Sequence, residues 1–271
     1  FNINVIYDVH GLHHIQKLKK RFNIVEKFKD FINIKQEKFL FKIANFLNVV
    51  SPEVKTVISK KFDIELEKIF IIEDGLLSLE NNLIKQLPKN EKFVVGFIGN
   101  FKFMGGVQNL ISAFSMLDKN KYHLLLIGEG FLENRIKNII DSENIEYIKS
   151  IRYEEVKHYQ SKVDLLVCPD LQNNLLNKIT PHIKIYDCFF SNKKVLTTYF
   201  SFYEDLKTKY PNNIYFTDSS IEDIKSKIIE ISESIIPTDL ISEKFIKKYT
   251  YKNYSDKMIS AYKSKNILWN N

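Results

Sequence analysis

Three observations predict an α/β chain built on parallel sheets. After residue 90, short apolar runs alternate with helical patterns with little interruption. Those runs are continuously apolar, as expected of strands covered on both faces. Six of the eight glycines, Gly96, Gly99, Gly105, Gly106, Gly128 and Gly130, crowd into the window from 96 to 130, at the ends of two such runs. Repeated βα units of this kind make a parallel sheet with helices on both sides.

The strand-like runs are Phe93–Ile98, His123–Ile127, Ile145–Ile148, Asp164–Cys168, Val195–Thr198 and Asn213–Phe216. Helical patterns fall near 107–117, 131–141, 153–160, 182–190 and 202–209. Upstream, Val5–Val9 reads as a strand, followed by helical patterns at 12–31 and 37–47. Asn48–Val50 is a short strand, Ser51-Pro52 a helix start with proline just inside it, and Ile69–Ile72 another strand.

A length of 271 residues fits about two domains. The expected division is a first α/β domain at 1–90, a second at 91–237 entered through a linker at Lys89–Lys92, and a closing helical segment at 238–271. That segment carries Tyr249, Tyr251, Tyr254 and Tyr262 and is expected to return toward the first domain. The first domain holds fewer strands than a parallel domain of this type needs and reads as incomplete. The chain starts at Phe1, without Met, and reads as a fragment or processed product.

Composition narrows the function classes. An apolar fraction of 44% with 27% charged residues is that of an ordinary globular protein. Alanine occurs only at Ala44, Ala113 and Ala261, while Lys, Ile, Asn, Phe and Tyr abound. This bias suggests an AT-rich, bacterial genome and removes meaning from lysine number. The formal net charge of +7 is spread along the chain, so no nucleic-acid partner is expected. Cys168 and Cys188 lie in apolar runs without metal spacing and read as buried free thiols in a reducing compartment. No run reaches the ~18 apolar residues of a membrane span, and no signal-peptide pattern is present. The expected location is cytoplasmic.

The two halves of the glycine window are alike. Phe93–Ile98 meets Gly99 and then a helix from Val107, and His123–Ile127 meets Gly128-Glu129-Gly130 and another helix. Glycine after a strand lets backbone N–H groups and a helix N-terminus approach a phosphate. A nucleotide is therefore expected there, with Pro169-Asp170 and the 179–187 segment on the same sheet edge.

Five stretches in register resemble a GT-B glycosyltransferase of the retaining, family-four or "group 1" type. They are VVSPEVKTVISKKFDIELEKIFIIEDG, VGFIGNFKFMGGVQNLISAF, HLLLIGEG, YQSKVDLLVCPD and TPHIKIYDCFFSNKKVLTT. The last is similar to the family's P-x-K-x-(F/Y)-E segment, with one extra residue between Pro181 and Lys184. The resemblance covers about residues 1–217. It implies two Rossmann-like parallel-sheet domains, the N-terminal one incomplete here, and transfer of a sugar from a UDP- or GDP-linked donor to a glycan or lipid-linked acceptor. It implies retention of configuration, no metal or other cofactor, and a place in cell-surface polysaccharide synthesis.

The resemblance also implies site residues. Lys102 and Lys184 are cations for the donor diphosphate, and charge held there lowers the barrier to phosphate departure. Gly99, Asn100, Gly105, Gly106, Gly128, Glu129 and Gly130 form the donor loops. Asp187 is the acidic residue on the ribose, able to accept from two neighbouring hydroxyls. Arg152 and Tyr153 lie where the nucleobase rests. His10, ending the first strand, faces the transferred sugar. Plainer readings stand beside these: a solvated Lys102, turn-forming glycines, a polar helix start at Arg152, and an i,i+3 ion pair between Lys184 and Asp187. His10, His13 and His14 share a helical face and could ligate a metal, although no acidic partner or cysteine completes the set.

Three positions depart from the family pattern. Gly105-Gly106 stands where a Lys-Gly is usual, Ser191-Asn192-Lys193 where a glycine precedes the strand, and Ile179 where the first glutamate of E-x7-E belongs. A backbone amide near Thr180–His182 is expected to stand in for that glutamate. A non-catalytic nucleotide- or partner-binding subunit is the alternative function, and a sugar-nucleotide epimerase a further enzymatic one. A dehydrogenase is disfavoured because GEGFLE lacks the third fingerprint glycine.

Ile15, Leu18, Phe22, Val25, Phe28 and Phe31 repeat at helical spacing among Lys17, Lys19, Lys20, Arg21, Lys27 and Lys29. The stripe is either a helix packed on the first sheet or a peripheral contact with an anionic membrane at its inner face. On the second reading, replacing Lys17, Lys19, Lys20 and Arg21 by Glu abolishes co-sedimentation with anionic vesicles. Unchanged sedimentation, or none to begin with, contradicts it.

Overall fold

The structure is a computed structural model of the chain and describes residues 4–12, 24–76, 91–102, 105–140 and 143–264. Its elements begin with β1 (Ile6–Val9), α1 (Ile24–Ile43), β2 (Phe46–Val49), α2 (Pro52–Phe62), β3 (Ile69–Ile71), β4 (Phe93–Ile98), α3 (Val107–Phe114), β5 (Tyr122–Ile127), α4 (Glu133–Ile139) and β6 (Ile145–Ile148). They continue with α5 (Tyr153–Ser161), β7 (Leu165–Cys168), α6 (Leu175–Ile179), α7 (Ile183–Phe189), β8 (Lys194–Thr198), α8 (Glu204–Lys209), β9 (Ile214–Thr217), α9 (Ile221–Glu233), α10 (Glu243–Lys247) and α11 (Tyr251–Ser264).

The chain forms two compact units. One takes in residues 1–78, 175–181 and 247–271, the other 79–174 and 182–246. These limits differ from the sequence division in two ways. The closing segment splits near Lys247, because Phe245 packs with Phe189 and Tyr210 of the second unit while Leu76 and Thr250 bridge within the first. The short α6 belongs to the first unit because Ile179 is buried in that unit's core. Of the expected Lys89–Lys92 linker, Lys89 and Asn90 lie outside the described residues.

The first unit is a three-stranded parallel sheet, β1-β2-β3, with Asp8 opposite Asn48 and Asn48 opposite Phe70. Leu47 and Val49 of the central strand pack with Phe41, Val54, Ile58 and Phe62, and the Phe41 and Phe62 rings meet edge-on at 5.0 Å. Helix α2 starts where Ser51 predicts, its Oγ accepting from the Val54 N–H at 3.1 Å, with proline in the first turn. It ends at Asp63, which takes the left-handed conformation.

Helix α1 runs unbroken across 31–37, where the sequence reading placed a gap, since no Gly or Pro interrupts it. It stops at Ile43, short of the expected residue 47. Asn45 is drawn to β1 instead, accepting from and donating to Val5. Of the apolar stripe expected to pack inward, Phe28 and Phe31 are exposed; residues 13–23, with His13, His14, Lys17, Lys19, Lys20 and Arg21, lie outside the described residues.

The second unit carries a six-stranded, all-parallel sheet in the order β6-β5-β4-β7-β8-β9. The chain builds outward from β4 to β6, then returns to the other side of β4 as β7. Strands β5, β7 and β8 are buried almost throughout, which explains the unbroken apolar run of β7 and the apolar stretches Leu124–Ile127 and Val195-Leu196 of the other two. Helix α9, which the sequence reading passed over, closes the core against α3 through Ile224, Ile228 and Ile231 and is capped by Ser220.

Gly106 enters α3 at φ 61°, and a Cβ there would overlap the Pro169 carbonyl. Gly106→Ala is expected to lower stability in urea by more than the about 1–2 kcal/mol of the left-handed conformation alone. A variant as stable as the parent would refute that reading of the loop.

Candidate functional site

The sheet of the second unit reverses its order of growth between β4 and β7, and strands diverging at such a switch point open a crevice at their carboxyl ends. Several segments of the unit meet there: Gly99–Lys102, Gly105-Gly106, Pro169-Asp170 after β7, and the start of α7.

The glycine loops stack on one another through backbone. Phe101 N–H donates to the Glu129 carbonyl at 2.9 Å, and Leu132 N–H to the Phe101 carbonyl at 3.1 Å. A Cβ on Gly128 would strike the Gly99 carbonyl, and one on Gly130 the Asn100 side chain and Phe101 backbone. A Cβ on Gly96 would meet Val163. The glycine cluster was expected to report approach to a ligand, but at Gly96, Gly106, Gly128 and Gly130 the close neighbour is the protein itself. Gly99 and Gly105 differ. A Cβ there would make only ordinary contacts, with Lys184 Cδ at 3.8 Å and with Asp170 Oδ1 at 3.9 Å respectively.

Those two neighbours form the centre of the site. Lys184 Nζ donates to Asp170 Oδ1 at 2.8 Å and stands 5.7 Å from the centre of the Phe97 ring. His182 Nδ1 lies 2.9 Å from Asp170 Oδ2. The Asp170 side chain is only 3% exposed. Burial opposes its charge, but the Lys184 ammonium and His182 outweigh burial and hold the carboxyl below its ordinary value. Burial likewise opposes the charge of Lys184, and Asp170 outweighs it, so the ammonium is held above its ordinary value. The Asp170 backbone is fixed too, its carbonyl accepting from Thr198 Oγ1 at 2.6 Å. Cys168 and Cys188 are buried free thiols, as expected, with sulfurs 4.0 Å apart.

The plainer reading of Lys184, an ion pair with Asp187, gives way to a pair with Asp170, which the sequence reading placed on this edge without a role. Asp187, one turn along α7, is half-buried; burial pushes its carboxyl up to about 6, with Lys157 pulling the other way. Tyr153 is close enough for burial and the Asp187 charge to raise its hydroxyl, which brings together two residues picked from sequence. Arg152 is 81% exposed and starts α5, its N–H donating to Glu155 at 3.0 Å, so the structure places it as a polar helix start. Glu129 is paired with Lys149 at 3.7 Å, and Asn100 and Lys102 are exposed beside Gly99.

The backbone amide expected near Thr180–His182 is not available. Thr180 N–H donates to the Leu176 carbonyl at 2.9 Å, Pro181 has none, and His182 N–H donates to the Tyr203 hydroxyl at 2.9 Å. The Thr180 hydroxyl is buried without a hydrogen-bond partner, in the first unit. Ile179, in the place of the missing glutamate, is 6% exposed in that unit's core and its carbonyl accepts from Ser51 Oγ. His182 escaped sequence reading as a side chain; the available signal was its place two residues before Lys184.

In the first unit, His10 lies between two carboxylates, with Nε2 3.1 Å from Asp8 Oδ2 and Nδ1 3.3 Å from Asp74 Oδ1. Burial raises the Asp74 carboxyl, opposed by His10. Tyr254 reaches Asp8 at 3.4 Å, and burial with Asp8 and Asp74 pushes its hydroxyl up to about 12. Among the described residues no group of three or more His, Cys, Asp and Glu is arranged to hold a metal ion, and no helix is long and apolar enough to cross a membrane.

A doubly wound sheet with glycine loops and a cation at its switch point belongs to the nucleotide-binding α/β class. Known structures sharpen this to the GT-B glycosyltransferase fold. Sucrose-phosphate synthase from Thermosynechococcus elongatus matches with a TM-score of 0.76 at 14% identity, over 98% of this chain and 68% of that one. A TarM variant from S. aureus, crystallised with fondaparinux, α-GlcNAc-glycerol and UDP, matches at 0.67 and 17% identity over 96% and 50%. Anabaena HepE with UDP and glucose matches at 0.63 and 14% over 96% and 67%. The chain thus spans half of TarM and about two thirds of the other two. No curated protein sequence matches significantly. The family model for glycosyl transferases group 1 matches residues 80–253, more than half of the chain, and the chain belongs to that family.

A buried pair broken by loss of one partner costs about 3–5 kcal/mol. Lys184→Met is accordingly expected to destabilise the chain strongly in urea, and Lys184→Met with Asp170→Leu to recover much of the loss. A double variant no more stable than the single one would show that the pair is not what the site rests on.

Proposed function

We propose that the chain transfers a sugar from a nucleotide-sugar donor to a glycan or lipid-linked acceptor, with retention of configuration. The observation that carries this reading is Lys184, held by Asp170 against Gly99 at the switch point of a group 1 glycosyl transferase domain. The donor diphosphate lies over the Gly99–Gly106 loop, facing the N-terminus of α3, which has no side-chain cap. Lys184, Lys102 and loop amides hold the charge that develops on the leaving phosphate, in place of a metal ion. Asp187 accepts from the ribose hydroxyls and Tyr153 lies by the base. UDP is the favoured nucleotide, because HepE and TarM are known as complexes with it.

The acceptor side is proposed from resemblance alone: His10 contacts the transferred sugar, and the protein works in the cytoplasm, at the inner face of the membrane, in cell-surface polysaccharide synthesis. One observation favours a second reading, a nucleotide-binding subunit without turnover. Ile179 fills the glutamate position with a buried apolar side chain.

Calorimetric titration of the full chain with UDP and GDP separates these readings from failure. One nucleoside diphosphate is expected to bind with micromolar to low-millimolar Kd and to lose that binding in Lys184→Ala. The carboxylate of Asp187 is the form that accepts from ribose. Affinity should therefore be greatest above about pH 6 and fall by up to about tenfold per unit below it. Asp187→Asn should flatten the profile. Binding of neither nucleotide would overturn the proposal, and binding without transfer to any acceptor would favour the second reading.

A further inference from the structure

Ile179 is buried, and every backbone amide from Thr180 to His182 is either engaged or missing, so this segment has lost the usual means of reading the donor sugar. The imidazole of His182 is the group of the second unit's site that remains. Its side chain is 22% exposed, so part of the ring is open to a ligand. Its Nδ1 faces Asp170 Oδ2 at 2.9 Å, and a carboxylate there demands a proton on Nδ1. In the neutral ring Nε2 is then left with a lone pair for a hydroxyl donor. The main chain of His182 donates to the Tyr203 hydroxyl, itself on a side chain 1% exposed, so the residue is held through its backbone as well as through Nδ1.

Asp170 does two things at once. Oδ1 holds the lysine proposed for the diphosphate, and Oδ2 sets the tautomer of a histidine next to it along the chain. A sugar joined to a diphosphate presents its ring hydroxyls within a few ångströms of the phosphates, and Asp170 holds the lysine and the histidine side by side on one carboxylate.

We propose that His182 reads the donor sugar, its Nε2 accepting a hydrogen bond from a hydroxyl of the transferred hexose, and that Asp170 is its positioning residue. The inference rests on the nucleotide-sugar reading above and adds the group that recognises the sugar.

The test compares, by calorimetry on the full chain, a nucleoside diphosphate with its hexose conjugates: UDP with UDP-glucose, UDP-galactose and UDP-N-acetylglucosamine, and GDP with GDP-mannose. In the parent, the best conjugate binds tighter than the bare diphosphate. His182→Ala removes about tenfold of that increment, the worth of one well-made hydrogen bond, and leaves bare diphosphate within about twofold. His182→Gln, which keeps a polar group near the Nε2 position, restores part of it and is the variant to read where alanine lowers the folded yield. Asp170→Asn separates positioning from mere loss of structure. In a chain that already lacks the His182 ring, Asp170→Asn lowers the sugar increment no further, because the carboxylate acts on the sugar only through that ring. A general loosening of the site lowers it again.

An increment unchanged in His182→Ala and His182→Gln overturns the proposal while leaving the transferase reading intact, as does a parent that gains nothing from the sugar. Failure of every nucleotide to bind the parent overturns the transferase reading itself, and the inference with it.

Discussion

A carboxylate with 3% of its side chain exposed needs compensation, and how Asp170 obtains it organises the second unit's site. Isolated in so dry a place the charge would cost several kcal/mol, and two cation-capable partners on its two oxygens offset that cost. Satisfying Asp170 obliges α7 to begin at the carboxyl edge of β7, which places Lys184 beside Gly99. It also orders the turn into α7, because His182 is bound through both its ring and its amide. Thr197 and Thr198 of β8 finish the arrangement by donating to the carbonyls of Cys168 and Asp170. A polar knot of this size holds one geometry because each partial alternative leaves a buried group unpaired.

Around this knot the glycine loops do a different job from the one a motif suggests. Parallel strands deliver successive loops to one edge, and loops so delivered must pass within backbone contact of each other. Gly128 lies against the Gly99 carbonyl and Gly106 against that of Pro169. The glycines thus let the loops nest. Nesting leaves the start of α3, which no side chain caps, at the crevice, where the dipole of a helix favours an anion.

The two units differ in what their sites are made of. In the second, the charged groups are sequestered and their protonation is held by partners. In the first, His10 is 59% exposed between Asp8 and Asp74, in an open arrangement that water can rearrange. Ile179 belongs to this division as well. In the glutamate place of the family pattern, it serves the hydrophobic core of the first unit.

The sequence by itself determined the strand positions of the second unit, because a strand covered on both faces is mostly apolar along its length and that signal is local. It also determined the start of α2 at Ser51-Pro52 and the edge on which Lys184 and Asp187 stand. It missed α9, whose Ile224, Ile228 and Ile231 had the right spacing, and the unbroken course of α1. Tertiary structure alone decided the partners. Asp170 and Lys184 are fourteen residues apart, whereas the i,i+3 spacing of Lys184 and Asp187 offered Asp187 as the plainer partner. Helical spacing says which residues can face each other along one element, whereas a buried charge takes whichever counter-charge the packing brings, here from the end of a neighbouring strand.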